Sequence, residues 1–262
     1  MKKIIVFIIA LAISLGINAQ DYQKLWDEYN ENIENLLPES AGKVLDKIEK
    51  KALKEKNEVQ ILKMLAARCE LFTMSAEFPR DTIKNYCKAY LPKLSKTSQV
   101  FVNIELAKYS HNYETVLKYI DDDFIKTVSM KDYAVLFENE DNDYDLEFEP
   151  TLYDYVLNSI IKNYYSYEDR DKLYQYLLDY DLENGYIKAY YNNRINRLGQ
   201  TVLDADGFNE LEQLAKECPD NELVAKIRVN QIIYLSTTDW GQKPDYILAK
   251  QYCDAVMNLF DT

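Results

Sequence analysis

The sequence predicts an all-α chain of stacked antiparallel helical hairpins with no substantial β-sheet. Three observations carry that expectation. Apolar residues recur every three or four positions along nearly the whole chain, which is the period of an amphipathic helix and not of a strand. Only six glycines and six prolines are spread over 262 residues, and the helix formers Leu, Ala, Lys and Glu stand high beside Ile and Tyr. The polar breaks between apolar runs are short, so consecutive helices must double back on one another.

In chain order, the first element is a leader. Lys2 and Lys3 precede an apolar run from Ile4 to Ile17, and Asn18-Ala19-Gln20 follows before the polarity turns over at Asp21. That three-part layout is a secretory signal peptide over residues 1–19, so the mature protein is expected in the periplasm, at the cell surface or secreted. The run is too short to span a bilayer comfortably. No cysteine follows the cleavage region to carry a lipid.

The first mature stripe is Tyr22, Leu25, Trp26, Tyr29, Ile33 and Leu36, and the second Ala41, Val44, Leu45, Ile48, Ala52 and Leu53. Pro38 lies between them, where it suits the first turn of a helix. After Lys56-Asn57 a third stripe runs through Val59, Leu62, Leu65, Ala66, Cys69 and Phe72, making an antiparallel hairpin with the second. Ile83 to Leu91, Val100 to Ala107 and Tyr113 to Ile120 continue the design. Then come Leu152 to Tyr164, Leu173 to Tyr180, and Ile187 to Leu198, with Gly199 expected as a C-cap. The last group is Phe208 to Leu214, Leu223 to Ile227, and the stripe Tyr246, Ala249, Cys253, Val256, Met257 and Phe260. Hairpins that cannot cover their own apolar faces stack into a tetratricopeptide-like superhelix, although no strict repeat period is present.

Between residues 20–137 and 151–262 lies an expected linker over 138–150. Glu138 to Glu149 holds seven acids and no base, a composition for a solvated loop. Asp141, Asp143 and Asp145 alternate like the first ligands of a calcium loop. Leu146 and Leu152 then stand where that loop needs Gly and Glu. Asp204-Ala205-Asp206-Gly207 reads as a turn that starts a helix.

Removing the leader leaves 29 basic against 44 acidic side chains, a net charge of −15. Such a surface repels phosphates, so nucleic acid is excluded as a partner and an anionic membrane is disfavoured. The four cysteines, Cys69, Cys87, Cys218 and Cys253, admit two readings. One is disulfides, with sequence proximity pairing Cys69 with Cys87 and Cys218 with Cys253 among three possible connectivities. The other, favoured for helix-face cysteines, is burial as free thiols. His111 is the only histidine and sits at a helix junction with no nucleophile motif near it, so it is read as a capping or surface residue. No motif for a nucleophile, a metal or a nucleotide cofactor is present, and the chain is read as a non-enzyme without cofactor.

Tyrosine is the unusual excess, with 23 copies. Its ring buries while its hydroxyl needs a partner, which suits half-buried helix faces. Tyr153, Tyr155, Tyr164, Tyr165, Tyr167, Tyr174, Tyr176 and Tyr180 form a stretch that lines either the packing between hairpins or a groove for peptides or glycans.

The run LLPESAGKVLDKIEKKA at Leu36 to Ala52, followed by LKEKNEVQILKMLAARCEL to Leu71, resembles the opening helical hairpin of the Bacteroidetes alpha-2-macroglobulin family. Leu152-Tyr153-Asp154-Tyr155 is similar to a helix start of that family, and Tyr246 to Phe260 to one of its later helices. Gly42 departs from the larger residue usual at its place. The resemblance implies an N-terminal helical region that docks a protein partner or downstream macroglobulin domains of a protease inhibitor. The family's Cys-Gly-Glu-Gln thioester is not here, because the cysteines are followed by Glu70, Lys88, Pro219 and Asp254. The expected role is therefore that of an exported, non-catalytic scaffold; a stand-alone binding module for peptides or glycans is the alternative.

Overall fold

The computed structural model describes residues 21–74, 80–137, 146–163, 167–199, 205–236 and 244–260. The leader, the calcium-like Asp141, Asp143 and Asp145, and Tyr164 and Tyr165 lie outside them. The described chain is all-α. Its helices are α1 (residues 21–34), α2 (Pro38–Glu55), α3 (Glu58–Thr73), α4 (Arg80–Lys88), α5 (Lys96–Ser110) and the single turn α6 (Glu114–Leu117). After 3-10 runs at Asp123–Thr127 and Met130–Phe137 come α7 (Leu152–Ile161), α8 (Tyr167–Asn184), α9 (Ile187–Gly199), α10 (Ala205–Glu217), α11 (Asn221–Ser236) and α12 (Tyr246–Phe260). No strand occurs among the described residues; Ser129 and Thr151 form an isolated antiparallel bridge. No helix among them is long and apolar enough to cross a membrane.

The stops between helices follow from local chemistry. Pro38 opens α2 at its first turn, and Lys56 closes it in the left-handed conformation (φ 54°) with its N–H returned to the Ala52 and Leu53 carbonyls. Asn57 then caps α3 by accepting the Gln60 N–H at 3.2 Å. Ser95 caps α5, and His111 ends it at φ 53° in an exposed position, the capping role read from the sequence. Gly199 does not act as the expected left-handed cap, because it is still helical. The glycine that does so is Gly185 (φ 74°), where the Tyr186 N–H reaches back 2.8 Å to the Asp181 carbonyl. The expected helix from Tyr113 to Ile120 shrinks to α6 followed by turns.

The described residues form two compact units. One comprises the residues up to 125 together with 132–137, and the other Lys126–Lys131 together with everything from 146 onward. In the first unit α2 packs on α3, and α3 and α4 pack on α5. Leu45, Ile48, Met64, Ile83 and Ile104 are fully buried there. Helix α1 closes this core with amphipathic side chains whose rings go in and whose polar tips find partners. Trp26 donates 2.8 Å to Gln60 Oε1, and Tyr22 donates 2.8 Å to Glu55. Glu58 knits α3 to α5 by accepting both the Ser95 N–H and the Ser98 hydroxyl.

In the second unit α8 pairs with α9, α10 with α11 and α11 with α12, while α7 packs on α8. Leu152, Leu157, Ile160 and Ile161 of α7 and Leu177 of α8 are fully buried. Residues 126–131, which the sequence reading grouped with the first half, belong here. The Met130 N–H donates to the Pro150 carbonyl at 3.1 Å and the Leu152 N–H to the Val128 carbonyl at 2.9 Å.

Candidate functional site

The last hairpin is tied together from within by Glu212 of α10. Its carboxylate accepts Arg228 and Gln231 of α11 and the Tyr252 hydroxyl of α12. Burial alone would raise this carboxyl, yet those donors hold it below the usual range. Arg228 also lies over the Tyr252 ring, 4.6 Å from its centroid, and Phe208 stacks on the same ring at 6.3 Å. The inner side of the hairpin is thereby a packed, oriented surface.

Among the described residues, α11 and α12 also carry exposed apolar side chains. Val229 and Ile233 of α11 are 47% and 56% exposed, and Tyr246, Ile247, Met257 and Phe260 of α12 are 66%, 78%, 66% and 57% exposed. These are six of the thirteen exposed large apolar side chains among the described residues. Tyr246, Cys253, Met257 and Phe260 recur at spacings of seven, four and three, and so share one helix face. The sequence reading took Tyr246, Ala249, Cys253, Val256, Met257 and Phe260 together as a core stripe. Among the described residues only Ala249 of α12 is buried, because α12 packs chiefly on α11. Exposed apolar side chains are therefore concentrated on α11 and α12 among the described residues.

Two tyrosines of the stretch are packed in the core. Tyr153 and Tyr174 are 6% and 3% exposed, so they belong to the core and line no groove, while Tyr176 is exposed. Tyr180 donates to the Lys126 carbonyl at 3.0 Å and its ring lies 4.6 Å from that of Tyr153. The periodicity of the stretch was the available signal, since a stripe at helical spacing is first of all a core stripe.

Sequence reasoning missed a buried polar network at the α7–α8–α9 junction. Asp154 is the third residue of α7, where its carboxylate accepts the Thr151 N–H at 3.0 Å and the Thr151 hydroxyl, the geometry of a capping box. Asp181 of α8 accepts the Asn193 amide of α9 at 2.9 Å. Both aspartates are fully buried and bonded to each other. Burial first, then the Asp154 charge and hydrogen bond, push Asp181 up to about 9. Two carboxyls in such contact titrate as a pair that shares a proton, and burial raises both. A gap of 27 residues separates the two aspartates, and no motif flags them.

Each unit also has a cleft of small-ligand size. The first, of about 370 Å³, lies between α4 and α5 and is lined by Arg80, Lys84, Lys88, Asn103 and Tyr109. The second, of about 390 Å³, is lined by Lys126, Ser129, Lys131, Thr151 and Lys188. Lys188 in its wall is engaged by Glu147 at 3.0 Å. His111 lines neither cleft. Among the described residues no group of three His, Cys, Asp or Glu side chains could hold a metal ion. Of the four cysteines, Cys69, Cys87 and Cys218 are buried and Cys253 is exposed.

No family model, curated protein or solved structure matches the chain.

Proposed function

We propose that the protein is an exported, non-catalytic helical scaffold that docks a partner protein on the outer face of α11–α12. The observation that carries this reading is the apolar face of Val229, Ile233, Tyr246, Ile247, Met257 and Phe260, all more than two-fifths exposed. In a stack of hairpins each apolar flank is covered by the next hairpin. The occupant of such a face is therefore an amphipathic helix or hairpin that presents its own apolar stripe. Export is supported by the leader over residues 1–19. The resemblance of Leu36 to Leu71 to the alpha-2-macroglobulin family supports a docking role beside protease-inhibitor domains. The burial of Tyr153 and Tyr174 favours this reading over a peptide- or glycan-binding module.

A photo-crosslinking residue placed at Met257 in the cells that make the protein tests this. A discrete crosslinked partner is expected from Met257 and not from Leu182 on α8, which is also exposed. The crosslink should vanish when Ile247 and Phe260 are changed to Asp in a chain that keeps its helical circular dichroism. Equal labelling from both positions, or a partner retained by the Asp variant, would sink the reading. A crosslink only between two copies of the chain would replace a foreign partner with self-association.

A further inference from the structure

Helix α4 is nine residues long and buries only Ile83 and Cys87. A helix that short is marginal by itself, so its retention depends on what ties it to α3 and α5. Cys87 Sγ lies 3.4 Å from Cys69 Sγ on α3, and both cysteines are 0% exposed. Cys218 instead sits 3.7 Å from the Asp220 carbonyl, and Cys253 is exposed on α12. Among the connectivities open to four cysteines, Cys69 with Cys87 is the pairing whose sulfur atoms meet. The inference is independent of the docking role.

We infer that Cys69 and Cys87 are joined by a disulfide in the exported protein, which ties α4 covalently to α3. Two S–H bonds break and one S–S bond forms. Two protons, carried through water, and two electrons pass to an oxidised dithiol compound, glutathione disulfide or a disulfide-bearing oxidoreductase, whose own S–S bond becomes two thiols. Forming the bond closes the sulfurs from 3.4 Å to ~2.05 Å. In the folded chain the hydrogen bond that the Cys69 thiol donates to Cys87, then burial, then the Cys87, Glu105 and Glu70 charges hold the Cys69 thiol far above its ordinary range. Thiolate is the nucleophile in exchange, so the folded pair reacts slowly. The bond accordingly forms while α4 is still undocked and both sulfurs can be reached, and burial then shields it from reductants.

Folding the purified chain, without its leader, in a glutathione redox buffer poised as in an oxidising compartment tests this without any variant. Digestion by trypsin under non-reducing conditions should yield the peptides 69–80 and 85–88 joined and two hydrogens lighter than their sum. Four alkylatable thiols after denaturation, or a linkage through Cys218 or Cys253, overturns the inference. A second readout is thermal. Reductant should lower the melting temperature of the oxidised wild type by roughly 5 °C or more and leave a Cys69→Ala/Cys87→Ala chain unmoved. An equal response of the two chains also overturns it.

Discussion

Helices α7 and α12 belong to the same unit and are written in much the same alphabet. Seven of the ten residues of α7 are apolar or aromatic, as are eleven of the fifteen of α12. Nine residues of α7 are buried, against Ala249 alone in α12. The difference lies in what surrounds them. Helix α7 is packed by α8 and by the segments on either side of the Ser129–Thr151 bridge, whereas α12 has α11 as its main neighbour. Equal hydrophobicity thus becomes buried core in one place and exposed apolar surface in the other.

The sharpest way to break this contrast is to truncate one residue in each helix. Leu157→Ala in α7 removes a fully buried side chain and should cost about 3 kcal/mol, read from urea unfolding. Met257→Ala in α12 should stay within about 0.5 kcal/mol. Similar losses at the two sites would mean that α12 is covered in solution by something the isolated chain supplies itself.

A smaller effect concerns the start of α7. Thr151→Ala removes a hydroxyl that is bonded to Asp154 and lies within 3.4 Å of the Tyr180 hydroxyl, and should cost about 1–2 kcal/mol. A loss confined to a few tenths would show that the cap contributes little beyond the packing of α7.

The shared proton gives a prediction in pH. The Asp181 carboxyl titrates near pH 4 in an unfolded chain and at about 9 in the folded one, so the folded state holds the extra proton between those values. Stability from this group is complete below about pH 4 and is lost as pH rises toward 9. Asp181→Asn keeps a donor for Asp154 and removes the titration. Its melting temperature relative to wild type should therefore climb from acid pH to about 9 and then level off. Parallel curves across that range would dissolve the proton-sharing account. At the far end of the scale, Phe260→Ser should leave stability nearly unchanged while reducing partner capture, since its side chain is 57% exposed.

Much of the helical layout could be read from residues alone. The Lys56-Asn57 break became a left-handed turn followed by a cap, and Pro38 became the first turn of α2, because both depend on interactions within a few residues. The same locality misled at Gly199. A glycine after an apolar run looks like a cap, but Gly185 takes that role because the chain reverses there between α8 and α9. The pairing of Asp154 with Asp181 could not be read, since each residue by itself is an ordinary acid on a helix.

Spacing, composition and turn chemistry therefore determined by themselves that this chain is helical, where most helices begin and which residues form each apolar stripe. These are short-range properties, set by a period of 3.6 residues and by hydrogen bonds between near neighbours. Only the tertiary structure decided which stripes are covered, which tyrosines are core and which carboxyls and thiols meet. Those outcomes depend on contacts between residues far apart in sequence, and burial is a property of a neighbourhood that no single stripe contains.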